Sequence, residues 1–322
     1  MFAGMEYVYE VYKEQSFSKA ARNLFISQPS LSATIKRIEA KVGAPLFDRS
    51  TIPIRLTDCG EKYIEAVEKI QFIQNSFQQY IDDVQNLCAG TLRLGGSNLF
   101  SSYVLPPLIA AYRSRFPKVE LNLVEENTGR LEEMLQAGKL DFIIDNYFFS
   151  EQIFNRTLYH TEYLLLAVPR SFAVNQQLEQ YRLPLSTIVS GEFLLDAVEA
   201  VPLDAFRDES FLMLKPENDT SKRGMKLCQN SGFKPKVLLE LDQQMTAYNM
   251  TCSGLGLSFI SDTLVSYVQP HPEVVFYKLG GEEAQRSVYF YSKKDCYTTR
   301  AMREFLNIVE QIPMGSHVET GI

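Results

Sequence analysis

Histidine and cysteine are scarce in this chain of 322 residues. The three histidines (His160, His271, His317) lie far apart in sequence, so a histidine-based metal site is not expected. The five cysteines (Cys59, Cys88, Cys228, Cys252, Cys296) form no C-x-x-C pair. Scattered thiols suit a reducing compartment and a buried, hydrophobe-like role, with a redox-sensing pair as the alternative. No apolar run approaches the ~18–20 residues that cross a bilayer. The opening "MFAGMEYVYEVYKEQ" places Glu6 and Glu10 where an export signal would be basic and then apolar. Common catalytic signatures are also missing: there is no G-x-S-x-G, no H-E-x-x-H and no P-loop. "SGLGLS" follows a helical stretch, which makes it a poor dinucleotide fingerprint, and "GGSN" lacks a following G-K-[ST]. Glu125–Glu126 and Glu132–Glu133 read as solvated pairs, not as an acid and a base. These absences lead to the expectation of a cytoplasmic protein with no membrane association, no cofactor, no metal and no enzymatic activity.

The composition that remains, 45% hydrophobic and 22% charged, is that of an ordinary globular protein long enough for two or three domains. The formal net charge is -7, but it is unevenly spread. Residues 1–58 carry eight Lys/Arg against six Asp/Glu, leaving 24 and 33 for the remainder. Only the first segment has a plausible nucleic-acid footprint.

That segment reads as helices and a wing. Met5 to Gln15 forms a first helix. Ser18 is placed to cap a second, "KAARNL", and Ser27 a third, with Pro29 tolerated in its first turn. Leu31, Ile35, Ile38 and Val42 form one core stripe, and Gly43 ends the helix. The other faces carry Gln28, Ser30, Ser32, Thr34, Lys36 and Arg37, short polar groups for base edges with cations behind them for phosphates. "PLFDRSTIPIRLT" alternates into two short strands. A lone pattern of this kind also fits a small helical domain whose polar face meets water.

The longer run "SFSKAARNLFISQPSLSATIKRIEAKVGAPLFDR…IRLT" resembles the N-terminal winged helix–turn–helix of the LysR-type transcriptional regulators. The matching residues include Phe17, Ala20, Ala21, Leu24, Gln28, Pro29, Leu31, Ser32, Lys36, Arg37, Glu39, Gly43, Leu46, Arg49 and Thr57. The resemblance implies DNA contacts by Gln28, Pro29, Ser30, Ser32, Ala33 and Thr34, and by the cations Lys36, Arg37, Arg49 and Arg55. Two positions depart from the family. Ala33 stands where a long polar or basic residue is frequent, and the wing tip "STIPI" lacks a cation. Fewer charges imply weaker non-specific binding and more reliance on dimer geometry.

From Tyr63 to Cys88 the chain lacks Gly and Pro. Tyr63, Val67, Ile70, Gln74, Phe77, Ile81, Val84 and Cys88 can be laid on a heptad seam, which suggests a long helix pairing with its own copy. A single helix packed on its own domain is the alternative. Strands then alternate with helices, which implies an α/β fold with mostly parallel sheets. The order resembles the effector domain of the same family, two periplasmic-binding-protein-like lobes. The expected organisation is a DNA-binding domain at 1–58, a linker helix at 59–89, an effector-binding domain at 90–312 and a tail at 313–322. Lobe one would hold about 90–163 and 270–312, and lobe two about 164–269. The crossings would fall near Thr161–Pro169 and Val268–Tyr277. "LLDAVEAVPLDAFRDES" has no clear place in this scheme.

Ligands of such sheets bind at the carboxyl ends of strands beside helix N-termini, where free N–H groups favour an anion. Those ends carry Ser97, Asn98 and Ser101 after the first strand, Thr128 (expected to cap a helix) after the second and Asn146 after the third. Thr220 and Ser221 lie before a helix of lobe two, and Ser261 follows "LSFI". Each alone also fits an ordinary cap or turn. The implied partners are double-stranded promoter DNA, a small effector with an anionic group, further copies of the chain in a homodimer or homotetramer, and RNA polymerase. Two other classes compete. A solute-binding protein of a transport system would explain only residues 91–312, and an enzyme on an α/β fold has no supporting motif.

Overall fold

The computed structural model describes residues 1–85, 90–268 and 271–312. The chain divides into two compact units, Met1–Asp82 and Asp83–Ile322.

In the first unit, α1 (Met5–Glu14), α2 (Phe17–Asn23) and α3 (Gln28–Val42) close around Val8, Val11, Ala20, Leu31 and Ile35, all fully buried. The cap of α2 is Ser16, whose hydroxyl accepts from the Lys19 N–H at 3.4 Å, and not Ser18. Starting the helix earlier puts Phe17 on its inner face, edge-on to Phe47. At α3 the Ser27 hydroxyl accepts from the Ser30 N–H, Pro29 occupies the first turn, and Gly43 closes the helix in the left-handed region (φ 89°) that a side chain would disfavour. The strands β1 (Phe47–Asp48) and β2 (Arg55–Leu56) pair antiparallel as the wing.

The helix α4 (Asp58–Gln85) runs for 28 residues. Thr57 starts it, donating its hydroxyl proton to the Pro45 carbonyl and accepting from the Gly60 N–H. Tyr63, Ile64 and Val67 are buried in the core of the winged unit, so the first positions of the expected seam are used within the chain. Further along, Ile73, Phe77 and Tyr80 are 66%, 63% and 46% exposed. Their i, i+4, i+7 spacing puts them on one stripe. The exposed apolar seam therefore runs through Ile73 and Tyr80, with Gln74 to one side. The expected seam positions Val84 and Cys88, and the tail 313–322, lie outside the described side chains.

In the second unit, β3 (Gly90–Gly96), α5 (Leu105–Arg115), β4 (Val119–Glu125), α6 (Thr128–Gln136) and β5 (Phe142–Asp145) build lobe one. The long strand β6 (Phe154–Pro169) crosses to lobe two. There follow β7 (Arg182–Leu183), α7 (Leu185–Val189), β8 (Ser210–Leu214), α8 (Asp219–Asn230), β9 (Lys236–Leu241), α9 (Gln244–Cys252), β10 (Leu257–Ser261), α10 (Asp262–Tyr267) and β11 (Val274–Lys278). The strand β12 (Gln285–Lys293) returns to lobe one, where α11 (Arg300–Gln311) packs on α5. β4, β3 and β5 are parallel, and β12 joins them antiparallel. In lobe two, β8 is parallel to β9 and β10, and β10 is antiparallel to β6.

The outward crossing occurs within β6, which pairs with β12 up to Tyr163 and with β10 from Leu164. The return differs from the expectation near Val268–Tyr277. β11 still belongs to the sheet of lobe two, paired with Leu165–Pro169, because Val274, Val275 and Phe276 fill the apolar clusters on its two faces. The chain returns only after Lys278. "LLDAVEAVPLDAFRDES" is a surface run pinned by buried Val201, Leu203 and Phe206. The glycine pair ending β3 serves packing: a Cβ on Gly95 would stand 2.7 Å from a Leu140 methyl.

Candidate functional site

On the winged unit, Gln28, Pro29, Ser30, Ala33, Lys36 and Arg37 form an exposed face of α3, while Ser32 and Thr34 are half-buried. Thr34 accepts a hydrogen bond from Arg37 Nη2 at 3.1 Å, so it holds this cation on the helix surface. Arg49 is engaged within the unit. Its guanidinium pairs with Glu39 at 3.0 Å and lies over the Phe17 ring at 5.1 Å. Glu39 also accepts from the Leu46 N–H, so Arg49 braces the wing against α3. Arg55 is exposed on β2.

In the second unit the strand ends of both lobes border a cavity of about 610 Å³. Of the residues expected there, Ser97, Thr128, Asn146 and Thr220 line it. The others are used elsewhere. Asn98 donates to Glu125, buried Ser101 donates to the Gly96 carbonyl, Ser221 is buried in α8, and Ser261 caps α10. Two caps differ from the expectation. Asn127 caps α6, which frees the Thr128 hydroxyl, and Asn218 caps α8, which places Thr220 and Ser221 inside its first turn.

The cavity is shaped by charges that the strand-end pattern did not single out. Asp145 is 2% exposed and accepts from Thr128 Oγ1 at 2.9 Å and from the Tyr147 N–H at 2.8 Å. Burial pushes its carboxyl up to about 6, against which these two hydrogen bonds and Arg286 act. On lobe two, Asp219 pairs with Arg223 and Arg286, and Lys215 pairs with Asp242. The Lys222 ammonium instead lies 5.5 Å above the Tyr147 ring. Behind the cavity, Glu162 and Arg286 face each other on the two crossing strands, fully buried at 2.6 Å. Asn146 donates to Glu162, and Arg286 donates to Thr220, so both walls are tied to this pair. Burial opposes the charge on Glu162, yet Arg286 and His160 hold its carboxyl below the ordinary value. Asp262 beside it is pushed up to about 7, by burial and then by the Glu162 charge.

One sign of Asp145 was present in the sequence: a charged residue at the end of the apolar strand "DFIID". No comparable sign marks Lys222 or Arg286. Among the described residues no group of side chains could hold a metal ion, and no helix is long and apolar enough to cross a membrane.

A winged helical unit with an exposed polar helix, joined through a long helix to two α/β lobes around a polar cavity, is the architecture of a ligand-responsive DNA-binding protein. Residues 2–61 match the model of the bacterial regulatory helix–turn–helix proteins of the lysR family, and residues 85–312 match the LysR substrate binding domain. The chain belongs to the LysR family, and it is a DNA-binding transcriptional regulator with an effector-binding domain, not an enzyme. It is similar to the uncharacterized HTH-type transcriptional regulator YcgK of Bacillus subtilis (strain 168), at 29% identity over 94% of this chain and 92% of that one. Its fold is similar to full-length CbnR complexed with its target DNA (19% identity, TM-score 0.64, 97% of this chain and 99% of that one). It is also similar to the BenM effector binding domain with its effector benzoate (22% identity, TM-score 0.54, 69% of this chain and 91% of that one).

Proposed function

We propose that α3 enters the major groove of promoter DNA, with Gln28, Ser30, Ser32 and Thr34 toward base edges, Pro29 and Ala33 in apolar contact, and Lys36, Arg37 and Arg55 toward phosphates. The observation that carries this reading is the exposed polar face of α3, free of the apolar core on its opposite side. A role for Arg49 is to set the wing, with its pairing to Glu39 holding the strand that presents Arg55. Two such heads joined in one oligomer add their contacts through high effective concentration, which lets a chain of net charge -7 hold a polyanion. The stripe Ile73, Phe77, Tyr80 supports pairing of α4 with its copy. Exposed Val237, Leu238 and Leu239 on the edge strand β9 support a further contact between effector domains. The working division is DNA-binding at 1–58, linker at 59–89 and effector-binding at 90–312, in a homodimer or homotetramer of the cytoplasm that acts on RNA polymerase.

The effector occupies the interlobe cavity and presents an anionic group to Thr220, Lys222 and the start of α8. Ser97 and Asn146 complete the polar lining, with Asn98, Ser101, Ser221 and Ser261 holding the surrounding turns. Benzoate in the BenM domain supports a small carboxylate. The test is a mobility-shift titration with DNA from upstream of the protein's own gene, with and without small carboxylates. Sequence-specific binding that a carboxylate changes, and that Thr128→Val desensitises, is the expected result. Binding that shows no sequence preference would overturn the reading of α3.

A further inference from the structure

The cavity has a donor side and an acceptor side, and they fall on different lobes. In lobe two, the Thr220 hydroxyl accepts from Gln244 Nε2 and from Arg286 Nη1, both at 2.9 Å. The orientation of the Gln244 amide is fixed, because its oxygen accepts from the Ser261 N–H. With its lone pairs taken by two obligate donors, Thr220 has its own proton left to give. Lys222 adds a cation to the same wall. It sits over the Tyr147 ring, and among the described residues no carboxylate pairs with it.

In lobe one the polarity is reversed. The Thr128 hydroxyl gives its proton to Asp145, which leaves its lone pairs open to accept. Each Asp145 oxygen accepts one hydrogen bond and retains room for another. The other charges of the cavity cancel or add to this pattern. Asp219 is held by two arginines and Asp242 by Lys215, Glu132 adds negative charge to the Asp145 wall, and Glu217 places an exposed carboxylate on the lobe-two side. Apart from these two glutamates, the uncompensated charges of the lining are the buried Asp145 carboxylate on lobe one and the Lys222 ammonium on lobe two.

Resting on the reading of this cavity as the effector site, we propose that the effector is a small zwitterion, an amino acid or close analogue. Its ammonium is taken by Asp145 and Thr128 and its carboxylate by Thr220 and Lys222. Tyr147, which lies under the Lys222 ammonium, is the aromatic face against which such an ammonium also packs. A ligand charged at both ends touches both lobes at once. It prefers the conformation in which the walls are closest, and through that preference it biases the lobes.

The test uses the full chain in thermal-shift and calorimetric titrations. The probes are the standard α-amino acids, their N-acetyl derivatives, which keep only the carboxylate, and their amides, which keep only the ammonium. At least one amino acid should bind, and its acetylated and amidated forms should each bind about tenfold or more weakly. Asp145→Asn should weaken the amino acid but leave the N-acetyl form unchanged. Lys222→Met, at an exposed position that does not enter the core, should weaken the amino acid but leave the amide unchanged. The proposal fails if no amino acid binds, if an N-acetyl form binds as well as its parent, or if both variants bind the amino acid as the wild type does. A simple carboxylate that binds and depends on Lys222 would overturn the zwitterion while leaving the cavity as the effector site. A ligand indifferent to both variants would overturn the cavity itself.

Discussion

Asp145→Asn tests the electrostatics of the effector unit through stability alone. The carboxyl is buried at the end of β5 with no ion pair to it among the described residues, and burial pushes its pKa up to about 6, against its two hydrogen bonds and the Arg286 charge, from an ordinary ~3.9. A raised pKa means that the fold favours the protonated form. The associated stability is fully present below about pH 4 and is lost as the pH rises through about 6. At ~1.4 kcal/mol per pKa unit, the ionised form costs about 3 kcal/mol near pH 8, and about half of that near pH 5. Asparagine keeps the shape and both contacts: its carbonyl can accept from the Tyr147 N–H and its amide can donate to Thr128. The variant should therefore be more stable than the wild type by up to about 3 kcal/mol near pH 8. That is roughly 6–12 °C in Tm for a unit of this size. The gain should shrink on acidification and approach zero near pH 4. Calorimetric scans of the full chain across this range measure it. A variant less stable than the wild type near pH 8, or a difference independent of pH, would show that Thr128 and the Tyr147 N–H fully compensate the buried charge. The gain in stability should come with a loss in effector affinity if this carboxylate takes the ammonium of the effector as proposed.

Gln28→Ala should relax preference at one or two base positions at a cost of ~1–3 kcal/mol, read by competition binding with single-base operator variants. An unchanged preference would move the recognition role off the start of α3. Arg55→Ala should weaken all sequences alike and lower the slope of affinity against salt by about one. A loss confined to one sequence would contradict a phosphate contact. Phe77→Asp puts a charge into the exposed stripe of α4 and should shift sedimentation toward the monomer, with loss of operator affinity. An unchanged mass would reject pairing through that stripe.

Some of this protein is written locally and some is not. The winged unit is legible because its determinants are short-range. Ser27 caps α3, Pro29 sits where no N–H is needed, Gly43 supplies a left-handed residue, and Leu31, Ile35 and Ile38 repeat at the helical period. The alternation of strand and helix likewise declared an α/β fold, while the division into two lobes came from its resemblance to the effector domain of the family. Local spacing was less reliable for the details. Ser16 displaced Ser18 as a cap because the helix had to turn Phe17 inward, and Tyr63 and Val67 of the heptad pattern are used in the winged core, which leaves Ile73, Phe77 and Tyr80 as the exposed apolar stripe of α4. The chemistry of the cavity was decided by tertiary structure. Thr220 is a donor only because Gln244 and Arg286 occupy its lone pairs, and Arg286 reaches it from 66 residues away. The Asp145 carboxyl is pushed up because burial removes its water, and Glu162 is paired with a residue 124 positions distant. A sequence read in short windows carries periodicity and capping. The charge state and hydrogen-bond direction of a buried group depend on its neighbours in space, and these exist only once the lobes have closed around them.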